Sequence, residues 1–223
     1  MATVLRGIAV RTDRSVDCSS LRSIVADVCR GRRSPRDKAV AIYNFLVRTV
    51  YMPEHSHRPV EPPDPATRRK VGLELWFVND PIKYITVYGC CGCGPQAHLF
   101  GALLRAAGLE CRLLNPGFGH VSNEVRWGGA WHWMDVWLPA YITDAKGDIY
   151  SYDELMADRS LVADAIADGR ASENFICNRE SHLPAILNAK GHKPGRRAGY
   201  RQKTTQNLTL RPGEIRVFLV RTK

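Results

Sequence analysis

The spacing of apolar residues predicts two amphipathic helices in the first fifty residues. Residues 19–30 carry apolar side chains at helical spacing, and Gly31 is suited to end that helix. A second helix is expected to follow Ser34, which can cap it, with Pro35 at the first helical position and Asp37 near the positive end of the helix dipole. The core face predicted for this second helix is Val40, Tyr43, Leu46, Val47 and Val50.

A third helix is predicted to begin near Cys93 and to end at Gly108. Pro95 lies just inside its start, which puts Cys93 or Gly94 at the cap. The apolar stripe predicted for this helix is Ala97, Phe100, Leu103, Leu104 and Ala107.

Strand-like alternation follows the third helix. Alternating apolar and polar residues cover 110–115, 120–127 and 130–138, and Gly128-Gly129 predicts a hairpin turn between the last two runs. Helices followed by antiparallel strands indicate an α+β fold rather than repeated βαβ units. No glycine-rich phosphate loop follows a predicted strand, so a doubly wound nucleotide-binding fold is disfavoured.

Smaller elements are predicted on either side of this core. They are a short strand within 4–10, a long proline-rich loop over 53–70, two short apolar stretches at 76–78 and 82–88, two short surface helices over 151–158 and 160–168, and a terminal hairpin over 208–219.

The composition is that of a globular protein with a hydrophobic core. Of the 223 residues, 44% are hydrophobic, and no run of about 18 apolar residues predicts a membrane span. The N-terminus lacks the sustained apolar run of a signal peptide, and seven cysteines cannot all pair with one another. We therefore expect a cytoplasmic protein without a disulfide framework and without membrane contact.

The net charge of +10 is unevenly distributed. Residues 1–70 carry +7, residues 71–187 carry −6 and residues 188–223 carry +9. The basic flanks are either solvated and packed over the acidic middle, or they contact a polyanion such as nucleic acid or an acidic glycan. Single-strand binding is disfavoured because the C-terminal basic segment contains few aromatic residues for stacking, namely Tyr200 and Phe218.

Cys93 is the leading candidate for a nucleophile. The dipole and the N–H groups of the first turn favour the thiolate form of a cysteine at a helix N-terminus. Gly92 and Gly94 flank this cysteine and leave its sulfur uncovered. The flanking glycines argue against the usual role of a buried structural cysteine.

His120 and Asp135 are the candidate partners of this thiol. His120 begins the first strand of the predicted hairpin, and Asp135 lies on the second. A carboxylate among apolar and aromatic residues, such as Asp135, is costly to bury unless it is paired. The hairpin brings the two strands side by side, so that the imidazole can pair with the thiolate and the carboxylate can orient the imidazole. His98 and His132 are competing bases, but His98 is directed away from the helix start and His132 has the opposite strand parity to Asp135.

Metal binding and redox chemistry are the alternatives for the cysteine cluster. Cys90, Cys91 and Cys93 include a C-x-x-C spacing, which can serve thiol–disulfide exchange or half of a zinc site. A second ligand pair of suitable spacing is missing from the sequence, and so is the βαβ context of a thioredoxin-like site. His55 and His57 form a His-x-His pair in the proline-rich loop, without other clear ligands. We predict no metal and no cofactor.

The segment from Gly92 to Arg112 resembles the nucleophile segment of the transglutaminase-like superfamily. Members carry a cysteine, an alanine four residues later, here Ala97, and a leucine-rich helix that ends in Ala-Gly before an arginine-bearing strand. The tandem Cys90-Cys91 before the nucleophile is unusual for the family, and the Ala97 spacing favours Cys93 over Cys91.

The two strands of the predicted hairpin also resemble this superfamily. His120 with Glu124 matches a His-x-x-x-Glu strand, and Trp131 with Asp135 matches a Trp-x-x-x-Asp strand. Asn123 stands where the family often has an apolar residue. Upstream, residues 79–89 resemble a bacterial branch of the group.

The resemblance implies a papain-like α+β core in which the nucleophile helix packs on an antiparallel sheet. The corresponding domain assignment is a transglutaminase-like catalytic domain over 1–187, with its core at about 35–138, followed by a basic linker and C-terminal hairpin over 188–223.

The function implied is a thiol-dependent hydrolase of peptide or protein amides that uses Cys93, His120 and Asp135 and passes through an acyl-enzyme. Trp76 is a candidate second oxyanion donor, because related transglutaminases use an upstream indole. The alternatives are a protein-glutamine acyltransferase that forms crosslinks, and a non-catalytic binding module that keeps the fold.

Overall fold

The computed structural model describes residues 5–6, 15–50, 81–88, 91–117, 120–168 and 209–210. The helices are α1 Leu21–Val28, α2 Pro35–Thr49, a π-helical turn Tyr84–Tyr88, α3 Cys93–Ala106, α4 Tyr152–Ala157 and α5 Ser160–Ala167, and the strands are β1 Leu5–Arg6, β2 Glu110–Gly117, β3 His120–Trp127, β4 Ala130–Met134 and β5 Thr209–Leu210. The predictions for 53–70 and 76–78, and with them His55, His57 and Trp76, lie outside the described residues, as does Cys90.

The two N-terminal helices begin where their serines can cap them. The Ser20 side chain accepts a hydrogen bond from the backbone N–H of Ser23 at the start of α1, and the Ser34 side chain accepts one from Asp37 at the start of α2. Pro35 occupies the first turn of α2, as predicted.

The core face of α2 keeps three of the five predicted residues, Tyr43, Leu46 and Val50, but Ala39 and Ile42 are buried in place of the other two. Its buried side chains are Ala39, Ile42, Tyr43 and Leu46, whereas Val40 and Val47 are half-buried. The reason is that α2 packs against both α1 and α3, so that two neighbours decide which side chains are covered. Tyr43 contacts the Phe100 ring of α3 edge-on, with 6.4 Å between the ring centroids.

The strands β2, β3 and β4 form an antiparallel sheet in the order of the chain. Gly128 and Gly129 join β3 to β4 with φ values of +58° and +84°, and a two-residue turn with positive φ at both positions suits the twist of a hairpin. Helix α3 packs on one face of this sheet, next to Val125 and Met134. The other face is covered by the segment 136–165, through Trp133 and Leu114.

Strand β4 is shorter than the predicted run over 130–138, because the chain turns at Asp135. Asp135 and Ala140 exchange two backbone hydrogen bonds of 2.9 Å, which close the turn. A third pairing joins β1 to β5, so that the described part of the predicted C-terminal hairpin pairs with the N-terminal strand.

Helices packed on a three-stranded antiparallel sheet make this an α+β fold, as the sequence predicts. In the described part of the chain, every helix is too short or too polar to cross a bilayer.

The burial of Ile42 rather than Val40 can be tested by two matched truncations. Ile42→Ala should lower the free energy of unfolding by about 2–5 kcal/mol, because it leaves a cavity in the core. Val40→Ala should cost clearly less, because the Val40 side chain is half-buried. Urea denaturation of both variants measures the difference, and an equal loss would contradict this orientation of α2.

Candidate active site

Cys93 is the first residue of α3. Gly92 is the N-cap and provides no capping side chain, and the Gln96 N–H closes the first turn on the Gly92 carbonyl at 3.1 Å. The cap thus lies one residue before the predicted position. Gly94 is half-buried, and within the described residues a methyl group at this position would meet no atom of another element within 4 Å.

The segment before α3 is held in place by Gln96. Its side chain is 2% exposed and donates from Nε2 to the Cys91 carbonyl at 3.0 Å. The Cys91 side chain is buried in the apolar core at 1% exposure, whereas Cys93 is half-buried. The two thiols therefore lie in different environments, although they are two residues apart.

Strand β3 brings His120 to the start of α3. The pairing of β2 with β3 contains one extra residue between Leu114 and Gly117, and this bulge lies directly beside His120. The imidazole is 5% exposed and hydrogen-bonds the Cys93 side chain. The backbone N–H of Val121 donates to the same sulfur, so that two successive residues of β3 contact the thiol.

Asp135 completes this chain of hydrogen bonds. The Nε2–H of His120 donates to Asp135 Oδ2. The other carboxylate oxygen, Oδ1, accepts from the backbone N–H groups of Trp137 and Leu138, each at 2.9 Å. Asp135 is fully buried, and these three donors replace the water that a charged carboxylate would otherwise bind.

The Trp137 side chain covers the imidazole. Its ring centroid lies 5.3 Å from that of His120, with the two planes inclined by 50°. This contact excludes solvent from the hydrogen bond between His120 and Asp135, and an electrostatic interaction is stronger where water is excluded.

The electrostatics of the site favour an ion pair. Burial opposes ionisation of the Cys93 thiol, but the hydrogen bond and charge of His120, with the Val121 N–H, outweigh burial, so that the pKa of Cys93 is lowered from 9.0. Burial likewise lowers the pKa of His120, but the Asp135 carboxylate and the Cys93 thiolate raise that pKa to about 10. A thiolate and an imidazolium therefore coexist between these two pKa values.

The two competing histidines lie elsewhere. His132 stacks on Trp127 with 3.7 Å between the ring centroids, and its nitrogens face the carbonyl oxygens of Ile149 and Trp127. His98 lies within α3, where burial and the neighbouring Arg105 lower the pKa of its imidazole. The structure thus brings together Cys93, His120 and Asp135, whereas Trp76 lies outside the described residues.

A family model of the transglutaminase-like superfamily matches residues 22–146, more than half of the chain. The chain belongs to the transglutaminase-like superfamily. This superfamily includes cysteine hydrolases and acyltransferases. Cys93, His120 and Asp135 all lie inside the matched region. A comparison with curated proteins gives no match.

Three contacts of this transglutaminase-like site could not be found by sequence reasoning. They are the Trp137 ring on His120, the Val121 N–H on the Cys93 sulfur, and the brace between Gln96 and the Cys91 carbonyl. Each depends on how a loop or a helix start folds, and the only local signal is an aromatic residue two positions after Asp135.

The cysteines show no sign of a metal site within the described residues. Within the described residues no disulfide bond forms, and Cys18, Cys29, Cys91, Cys93 and Cys111 all keep their thiols. In the same part of the chain, no group of three His, Cys, Asp or Glu side chains is arranged to hold a metal ion.

Alkylation at neutral pH should distinguish Cys93 from the other described cysteines of this transglutaminase-like domain. Burial raises the pKa of Cys29, and it raises the pKa of Cys111 to about 11, while Cys91 is shielded by the core. We expect iodoacetamide to modify Cys93 first, as mapped by peptide mass spectrometry. Labelling should disappear in Cys93→Ala and persist in Cys91→Ala, and the reverse result would refute the assignment.

Proposed function

We propose that this protein is a thiol-dependent amide hydrolase in which Cys93 is the nucleophile, His120 the acid–base group and Asp135 the orienting carboxylate. The observation that carries the proposal is the buried chain of hydrogen bonds from Cys93 through His120 to Asp135. Membership of the superfamily supports the same chemistry, because its enzymes are cysteine hydrolases and acyltransferases.

The first half of the proposed reaction breaks the amide bond. The Cys93 thiolate attacks the carbonyl carbon of the substrate, and a tetrahedral oxyanion forms. The His120 imidazolium then donates its proton to the amide nitrogen, the C–N bond breaks and the amine leaves. The substrate acyl group remains on Cys93 as a thioester, and His120 is left neutral.

The second half regenerates the thiolate. His120 accepts a proton from water, the resulting hydroxide attacks the thioester, and the C–S bond breaks to release a carboxylic acid. Asp135 stabilises the imidazolium and holds its Nε2–H away from the thiol during both halves.

The oxyanion of both tetrahedral intermediates needs hydrogen-bond donors. We assign the first donor to the Cys93 backbone N–H, because it lies at the positive end of α3. One such donor typically contributes about 3 kcal/mol to the stability of the transition state. The second donor proposed from the family resemblance is the Trp76 indole, which lies outside the described residues.

Activity should be sought with a panel of peptide, isopeptide and glycopeptide amides. Cys93→Ala should lower the rate with a cleaved member of the panel by on the order of 10⁴-fold or more, because the covalent path is lost. Cys91→Ala is the matched control and should retain activity, because the Cys91 side chain is turned into the core. Liquid chromatography with mass spectrometry measures the released amine and acid.

The outcomes of this panel separate the alternatives. Addition of a primary amine would divert the thioester to a new amide if the chain is an acyltransferase, and the acid would then be the minor product. A panel in which no amide is cleaved or transferred, although Cys93 is alkylated as a thiolate, would contradict hydrolysis and favour the non-catalytic binding module.

The alkaline limit of activity should depend on Asp135. The imidazolium is the proton donor and is lost as the pH rises through the pKa of His120, so wild-type activity should fall near pH 10. Asp135→Asn removes the charge that raises this pKa while burial continues to lower it, and the alkaline limb should move to lower pH. The pH dependence of kcat/KM measures this shift, and coincident alkaline limbs would contradict the role given to Asp135.

A further inference from the structure

Asn123 is a buried polar residue on the apolar face of β3. It is fully buried, and its neighbours across the sheet are Leu113 on β2 and Met134 on β4. Two residues further along the same face, Val125 is also fully buried. An amide is costly to bury at such a position unless it forms hydrogen bonds, so an apolar side chain would be the simpler solution for packing alone.

The Asn123 amide connects β3 to the first part of the nucleophile helix. Its Nδ2 donates to the Ala97 carbonyl of α3 at 3.1 Å. Ala97 is also fully buried and lies four residues after Cys93, which is just over one helical turn, or about 6 Å, along the helix. The hydrogen bond thus joins residues that are 26 positions apart in the sequence.

The same strand carries the groups that contact the thiol. Val121 and His120 lie two and three residues before Asn123. The strand backbone from Asn123, which bonds Ala97, to Val121, whose N–H bonds the thiol, is about 7 Å long. Apolar packing keeps α3 close to the sheet but has no direction, whereas a hydrogen bond weakens steeply when its geometry changes. The connection therefore limits sliding of α3 along β3.

We propose that Asn123 is a positioning residue that fixes the first part of α3 to β3 and thereby sets the separation between the Cys93 thiol and the His120 imidazole. The inference rests on the proposed function and adds to it a residue outside the three that act in the chemistry. It also gives a physical reason for an asparagine at this apolar position.

The test compares two ways of weakening the same interface. Asn123→Leu keeps a side chain branched at the same carbon but removes the donor, and Asn123→Ala removes the donor without adding atoms. Val125→Ala is the matched control, because it truncates a fully buried residue on the same face of β3 without removing a hydrogen bond to α3. Urea denaturation ranks the stability of the three variants.

The readout is the pH dependence of Cys93 alkylation by iodoacetamide, with the site mapped by mass spectrometry. Loosening of α3 from β3 weakens the hydrogen bonds from His120 and Val121, both of which lower the pKa of Cys93. We expect the pKa to rise towards 9.0 in both Asn123 variants, with about a tenfold loss of alkylation rate at pH 7 for each unit of rise. Val125→Ala should keep the wild-type profile.

Two results would overturn the positioning role. One is a pH profile in the Asn123 variants that coincides with the wild type, and the other is an equal shift in Val125→Ala. If Asn123→Leu does not fold, Asn123→Ala carries the comparison. A wild-type protein whose Cys93 titrates at or above 9.0 would instead contradict the proposed thiolate chemistry, so the two failures are distinguishable.

Discussion

The carboxylate of Asp135 is fully buried, and a charge in such a place is stable only where hydrogen bonds and an opposite charge replace water. The turn from Asp135 to Ala140 supplies two N–H donors to Oδ1, and His120 supplies the third donor and the positive charge. Protonation of His120 in turn favours the Cys93 thiolate. The charge state of the Cys93 thiol thus depends on the turn at the end of β4. This turn is more than 40 residues away from Cys93 in the sequence.

The sheet is buried on both faces, and its polar residues on the His120 face connect the strands to one another and to the segment after β4. The Trp133 indole donates to Ser122 at 2.9 Å. Glu124 pairs with Arg112 at 2.7 Å and also accepts from the N–H of Tyr152, the first residue of α4. The bond from Tyr152 holds the covering segment on the sheet, and the turn that carries Trp137 begins that segment.

Features that depend on neighbours in the sequence could be predicted, and features that depend on distant packing could not. A cap such as Ser34 and a turn such as Gly128-Gly129 are determined within three or four residues. Strand parity was enough to prefer His120 to His132 as the partner of Asp135. In the structure, the side chains of His120 and Asp135 are hydrogen-bonded. The burial of Ile42 rather than Val40, the early end of β4 and the Asn123 hydrogen bond depend on elements that meet only in the folded chain, so no local pattern reveals them.

Cys91 and Cys93 illustrate why a cysteine motif alone does not decide reactivity. The C-x-x-C spacing of the cluster, from Cys90 to Cys93, suits thiol exchange or metal binding as well as nucleophilic catalysis. The start of α3 separates their environments, because Cys91 precedes the helix and is turned into the core, whereas Cys93 is the first helical residue and faces β3. At that position the positive end of the helix dipole, the Val121 N–H and the His120 charge all favour the thiolate. The position relative to the helix start, more than the spacing of the cysteines, therefore decides which sulfur is poised to react.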